Sequence, residues 1–127
     1  MSYRQFLQPE VKEATLHLGQ NLISTEPYLH YKRAEQALND DPAATSLLNS
    51  LAQVQARMRK AQAKMSVNPD DLMTLGDLQA QVQANPIISE YNTRKQQLTV
   101  LLQETNTEIS QLLGINFATI ARHSSCC

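Results

Sequence analysis

The stretch Asn85–Gly114, NPIISEYNTRKQQLTVLLQETNTEISQLLG, decides the fold of this chain. Its core-facing positions recur in steps of three and four, which places them on one stripe of a helix. These positions are Ile88, Tyr91, Lys95, Leu98, Leu102, Thr105, Ile109 and Leu112. Asn85 is a favourable N-cap, Pro86 suits the first helical position, and Gly114 can end the helix. The stretch therefore predicts one long amphipathic helix.

The length of this helix bears on the shape of the protein. At about 1.5 Å per residue the helix is roughly 43 Å long. A compact chain of 127 residues has a diameter of about 36 Å. Because the helix exceeds that diameter, the sequence predicts an elongated or oligomeric protein.

Proline marks the start of every other predicted helix as well. Proline is tolerated in a first turn and breaks helix interiors, so five prolines followed by amphipathic segments predict five helices. They are Pro9, Pro27, Pro42, Pro69 and Pro86. No segment alternates as a strand does. We expect an all-α fold of about five helices, in which two long antiparallel helices form a hairpin-like stalk and shorter helices pack against them in an oligomeric bundle.

The third helix, predicted from about Pro42 to Met65, carries an apolar stripe with a period near 3.5, which is typical of close packing along another helix. We therefore expect a homo-oligomer, in its simplest form a dimer, built on the third and fifth helices. The predicted interface residues are Leu51, Val54, Met58, Tyr91, Leu98, Leu102 and Ile109.

The remaining composition limits the class of protein. The net charge is −1, so no whole-molecule field attracts nucleic acid or a membrane. No apolar run reaches transmembrane length, and the first residues, MSYRQFLQPE, lack the layout of a signal peptide. We expect a cytoplasmic chain with one domain over residues 1–117, a flexible C-terminal tail over residues 118–127, and no membrane insertion.

Catalytic motifs are absent from the sequence. It contains no HExxH metal motif, no GxSxG elbow and no glycine-rich phosphate loop, so we expect no enzymatic activity. A basic stretch on the third helix allows two interpretations. It is either a solvated face opposite the apolar stripe or a patch for an acidic partner or RNA, although no aromatic residue is interleaved to stack on bases. Its members are Arg57, Arg59, Lys60 and Lys64.

The C-terminal residues ARHSSCC also allow two interpretations. His123, Cys126 and Cys127 are ligand types that suit soft or borderline metals. Two adjacent thiols fall short of the usual four ligands, but two tails could supply four thiolates between them. The other interpretation is a disordered terminus.

The order of these motifs resembles the YlbF/YmcA (Com_YlbF) family of bacterial regulators. The resemblance spans about residues 10–115 and rests on LGQNLISTEPYLHY at residues 18–31 and NPIISEY at residues 85–91. It implies an all-α, oligomeric, cytoplasmic protein without enzymatic activity. Members act in the control of competence, sporulation and biofilm formation, some in a complex of related subunits linked to a ribonuclease that processes mRNA.

The resemblance also bears on the tail, because those complexes are associated with cysteine-bound iron–sulfur clusters. Cys126 and Cys127 look like the cysteine-bearing tail of one branch of the family. Two functions follow as predictions. The favoured one is a regulatory adaptor that binds other proteins of a family complex. The alternative is an RNA- or nucleic-acid-binding accessory protein that uses the basic helix face.

Overall fold

The computed structural model describes residues 3–122, which are helical apart from short turns. A 3₁₀ turn at Arg4–Phe6 comes first. The helices are α1 (Pro9–Ile23), α2 (Glu26–Asn39), α3 (Pro42–Ala63), α4 (Pro69–Ala84), α5 (Pro86–Leu113) and α6 (Phe117–Ala121). Residues 3–122 contain no strand, which confirms the predicted all-α class and the five main helices. The short α6 was not predicted, and the expected boundary between domain and tail at residue 117 falls within it.

Side-chain caps fix where α3, α4 and α5 start. The Asn85 side chain accepts hydrogen bonds from the backbone N–H groups of Ile87 and Ile88, at 3.0 and 3.1 Å. Asp41 caps α3 and Asn68 caps α4 in the same way. Each cap satisfies backbone donors that have no partner within the helix. At the other end, α5 stops at Gly114, whose φ of 71° lies in the left-handed region that glycine adopts without strain.

The helices associate in pairs. Within residues 3–122, α5 packs mainly against α2, and α3 packs mainly against α4. Shorter helices therefore pack against both long helices, as predicted. Within the described residues the two long helices do not pair along their lengths, so the predicted hairpin-like stalk does not form there. An apolar stripe shows that a helix face is covered, but it does not show which helix covers it, and the 16-residue α4 is long enough to cover much of α3.

The core is small and lies where four helix ends meet. Ile88 at the start of α5 is 2% exposed and contacts Leu38 of α2 and Ala44 of α3. Val82 of α4 and Tyr91 of α5 pack against this cluster from outside. The apolar cluster holds together the end of α2, the start of α3, the end of α4 and the start of α5.

Candidate protein-interaction surface

The accessible surface of the chain is larger than its mass predicts. It measures 10057 Å². A compact monomer of 14.2 kDa has about 6,800 Å². The difference is on the order of the area that one subunit buries in an obligate oligomer. The shape of the chain is therefore that of a subunit with uncovered helix faces.

The first uncovered face lies on α1, which has no buried residue. Its apolar side, here called the α1 face, consists of Val11, Ala14, Leu18 and Leu22, and only Leu22 is half-buried. Within residues 3–122, α1 has appreciable contact with α2 alone, and that contact is small. An isolated helix of this length is marginal in water and normally gains its stability by packing an amphipathic face. Apart from Leu22, the α1 face has little such packing within residues 3–122.

The second uncovered face lies on the C-terminal half of α5. Tyr31 lies beside Tyr91, and His30 lies beside Arg94, so α2 runs antiparallel along the first half of α5. Because α2 begins at Glu26, it stops short of the second half. The residues beyond it form what we call the distal stripe, Leu98, Leu101, Leu102, Thr105, Ile109 and Leu112. Within it Leu102 is 47% exposed and Leu112 is 86% exposed, whereas the other four residues are half-buried.

Polar contacts join α2 to α5 beside the core. The Tyr31 hydroxyl donates to Glu35 Oε2 at 3.0 Å and lies 3.5 Å from the Tyr91 hydroxyl. The two rings stack at a tilt of 38° with centroids 5.7 Å apart. The hydrogen bond to Tyr91, and then the one to Glu35, raises the pKa of Tyr31 above its ordinary value. Lys32 Nζ donates to Glu35 Oε1 at 2.9 Å, and this contact is the main cause that lowers the pKa of Glu35.

Arg94 forms the second polar link between α2 and α5. Its Nη1 lies 3.2 Å from His30 Nδ1 and also donates to Gln97 Oε1. Its Nε donates to Glu90 Oε1 at 2.6 Å. Because a guanidinium only donates, His30 Nδ1 must accept, which requires an unprotonated nitrogen there. His30 thus links α2 to α5, and His17 lies 3.9 Å from Glu13 on the exposed side of α1.

The predicted interface residues lie in three different environments. Val54 and Met58 are only 3% and 8% exposed within the single chain, on the helix that packs against α4, so they have little surface left for a second chain. Tyr91 is half-buried against Tyr31. The other four are half-buried or exposed, namely Leu51, Leu98, Leu102 and Ile109. Three of these four belong to the distal stripe.

The α1 face was not among the predicted interface residues. The sequence shows its helical spacing, but spacing alone does not separate a face covered within the chain from one left open. One signal could have pointed to it. Gly19 lies in the middle of α1 and, like Gly76 in α4, has open space where a Cβ would stand, so packing within residues 3–122 gives no reason for a glycine there.

The basic stretch of α3 is exposed, in line with the solvated-face interpretation. Arg57 forms an ion pair with Asp71 of α4, with Nη2 and Oδ1 3.3 Å apart. Arg59 lines a shallow groove with Leu75. Lys60 and Lys64 are exposed, and the structure shows no ion pair for them among residues 3–122. One of the four charges is therefore already paired within the chain.

The candidate metal ligands His123, Cys126 and Cys127 lie outside the described residues. Within residues 3–122, no group of three or more His, Cys, Asp or Glu side chains could hold a metal ion. The same part of the chain contains no helix long and apolar enough to cross a membrane.

Comparison with known proteins agrees with this geometry. Residues 11–113 match the family described as control of competence regulator ComK, YlbF/YmcA. The chain belongs to the YlbF/YmcA family. No curated protein matches the chain significantly in sequence.

Solved structures similar to this YlbF/YmcA-family chain share its helical fold. One is Bacillus subtilis RicA in complex with RicF, with a TM-score of 0.75 and 14% identity over 85% of this chain and 96% of that chain. Another is a protein of unknown function (DUF964) from Bacillus stearothermophilus, with a TM-score of 0.60 and 20% identity over 83% of this chain and 93% of that chain. At these identities the similarity establishes the fold alone.

Proposed function

We propose that this YlbF/YmcA-family chain is a non-enzymatic regulatory adaptor, which binds other proteins through its helix faces in the cytoplasm. One observation carries the proposal. Within residues 3–122 the α1 face and the distal stripe are apolar surfaces with little cover, in a chain whose surface, at 10057 Å², is larger than that of a compact monomer. Contiguous exposed apolar surfaces are typical of protein-interaction sites.

The family supports the regulatory part of the proposal. Its description names control of the competence regulator ComK. A protein of the same fold, RicA, is found in complex with RicF, which supports a protein partner for this chain. The finer role that we propose is the control of competence, sporulation or biofilm development and of ribonuclease-dependent mRNA processing, through a complex of proteins.

Direct nucleic-acid binding is the less well supported alternative. Arg57 is already paired with Asp71, and no aromatic residue lies within the basic stretch to stack on bases. Phosphate contacts would make such binding fall steeply as salt rises. Absence of RNA binding at low salt would remove the alternative, whereas tight binding lost in a Lys60→Glu/Lys64→Glu variant would favour it over the adaptor.

The test of the adaptor function is capture followed by reconstitution. A tagged chain at its natural level is purified from its source cells, and the co-purifying protein is identified and then mixed with the purified chain. We expect a complex that elutes as one species and that a Leu112→Asp change in the distal stripe weakens. A Gln111→Asp change introduces the same charge next to that stripe and serves as the control. A chain that captures no protein, or that binds the captured protein no more tightly than it binds an unrelated one, would contradict the proposal.

A further inference from the structure

We infer that the partner of the α1 face is the distal stripe of a second copy of this chain. In this arrangement α1 of each copy packs on α5 of the other, so that two copies exchange their first helices reciprocally. The inference rests on the proposed use of helix faces for assembly. A second copy occupies both faces when the chain is alone, and a different partner protein would displace that copy. It differs from the predicted seam between α3 and α5, because Val54 and Met58 of α3 are buried in their own chain.

The two faces match in length and in place. The α1 face runs from Val11 to Leu22, a rise of about 17 Å. The distal stripe runs from Leu98 to Leu112, a rise of about 21 Å. The stripe continues the α5 face that α2 covers in the first half of the helix, where Tyr31 meets Tyr91. A helix from another chain can therefore occupy the distal stripe in the position that α2 has left free.

Gly19 supplies an independent observation. A glycine in a helix interior costs about 1 kcal/mol relative to alanine. Packing within residues 3–122 does not account for this glycine, because a Cβ at Gly19 would meet no atom within 4 Å, as is also true of Gly76 in α4. Thr15 lies one turn before Gly19, so two small side chains follow each other along the edge of the α1 face. Small residues in this arrangement let a second helix approach closely, and the leucines of the distal stripe provide the bulk that such a helix needs.

Symmetry and area favour exchange over the other pairings. Reciprocal exchange creates two equal contacts related by a two-fold axis, and the resulting dimer leaves neither face free to add a third copy. A seam between two distal stripes would leave both α1 faces open, and a seam between two α1 faces would leave both distal stripes open. A stable interface needs about 800 Å² from each subunit. Of these three pairings, only the exchange covers both faces. The accessible surface of the chain exceeds that of a compact monomer by enough to supply the area that such an interface buries.

The test is complementation between two variants, followed by light scattering on the purified full chain. Leu18→Asp alters the α1 face and Leu102→Asp alters the distal stripe. Each variant alone carries one charge in both contacts, so we expect self-association to weaken by roughly 100-fold or more. In a mixture of the two, both charges fall in one contact and the other contact is wild type on both sides. One aspartate already breaks a contact, so a second in the same contact costs little more, and we expect dimers to return at concentrations where each variant alone is monomeric. A dimer held by two α1 faces, or by two distal stripes, does not predict this recovery.

Matched controls place the same charge on the opposite sides of the two helices. Gln20→Asp on α1 and Gln103→Asp on α5 introduce it at exposed positions away from the two faces, and both variants should stay dimeric. Circular dichroism establishes that all four variants are helical. A wild-type chain that is monomeric at micromolar concentration, or a mixture that stays monomeric, would overturn the inference.

A cross-link keeps the inference testable if an aspartate variant fails to fold. In a Cys126→Ser/Cys127→Ser background, one batch carries Leu18→Cys and the other carries Leu102→Cys. The exchange predicts a disulfide between the two batches, which a pair of α1 faces or of distal stripes would not form. No mixed disulfide under mild oxidation counts against the exchange. These tests use the purified chain alone, so they test the exchange and not the adaptor function. The exchange can be wrong while the chain still captures a different protein, and the chain can capture no protein while the exchange is correct.

Discussion

At the residue scale, Tyr31 shows how one side chain joins two helices. Its hydroxyl contacts Glu35 within α2 and Tyr91 across the interface with α5. A hydrogen bond of this kind contributes about 1 kcal/mol to the free energy of unfolding. We therefore expect Tyr31→Phe to lower that free energy by about 1 kcal/mol, measured by urea unfolding near neutral pH. Tyr28→Phe is the control, because the Tyr28 hydroxyl makes no hydrogen bond within residues 3–122, and an equal loss in both variants would contradict the assignment.

The effect of Tyr31→Phe on stability should depend on pH in a way that follows from the direction of the Tyr31 pKa shift. Folding raises the pKa of Tyr31 above its ordinary value of 10.0. Its contribution to stability is therefore fully present below that pH and is lost as the pH rises through the folded pKa. We expect the stability difference between wild type and Tyr31→Phe to be constant from neutral pH to about 10 and to shrink above it. Unfolding measured across this range tests the expectation, and a difference that grows with pH would refute it.

Cys126 and Cys127 carry a prediction that lies outside the described residues. By family resemblance these thiols, with His123, could bind a metal or an iron–sulfur cluster shared between copies. Anaerobically purified wild type should then contain metal and absorb in the visible range, and Cys126→Ser/Cys127→Ser should do neither. A colourless, metal-free wild type with the same partner binding as the double variant would dispose of the prediction.

At the element scale, proline and the caps made most of the fold predictable. Four of the five predicted helices begin at the proline itself, and α2 begins one residue before Pro27. The end of α3 was predicted less well. It stops at Ala63 rather than at about Met65, and Met65 has a φ of 54° without being glycine. Neither glycine nor proline directly follows Ala63, so the position of this turn could not be predicted from the sequence.

The short α6 shows why some elements leave no pattern. Its five residues are too few to show a helical period. It is held by side chains of α5, because Ser110 Oγ accepts from Phe117 N and Asn106 Oδ1 accepts from Ala118 N. Such contacts form only because the chain turns at Gly114, so they cannot be predicted from the sequence pattern. The candidate interaction surface was hard to predict for the same reason, because it depends on contacts in the folded chain. The spacing of apolar residues predicts that α1 has an apolar face, but it does not show whether another helix covers that face.

The cap of α5 should matter more than the cap of α6. Asn85 caps the helix that contributes Ile88 to the core, whereas Asn116 caps only five residues. Replacing an N-cap asparagine by alanine costs about 1 kcal/mol. For a chain of this size, that loss lowers the unfolding temperature of Asn85→Ala by roughly 3–6 °C. Asn116→Ala should leave the temperature nearly unchanged, and thermal melts with equal shifts for the two variants would contradict this account.

At the scale of the whole molecule, stability should depend on protein concentration. Assembly stabilises the folded state by mass action, because the unfolded chain does not present the α1 face or the distal stripe. Raising the concentration about 100-fold above the dissociation constant adds on the order of 2.7 kcal/mol. The unfolding temperature of wild type should therefore rise with concentration, while that of Leu102→Asp should not. Calorimetry over such a range is the measurement, and a wild-type temperature independent of concentration would argue against assembly.

The weak attachment of α1 has a consequence for the lifetime of the chain. Because α1 buries no residue in its own chain, opening it locally costs little free energy. A protease that needs an unfolded segment can cut a solitary copy there long before the rest of the fold opens. A copy whose α1 is covered by another chain hides the same segment. Degradation would then remove surplus copies selectively, and the cell would keep this subunit only in the amount that has found a partner.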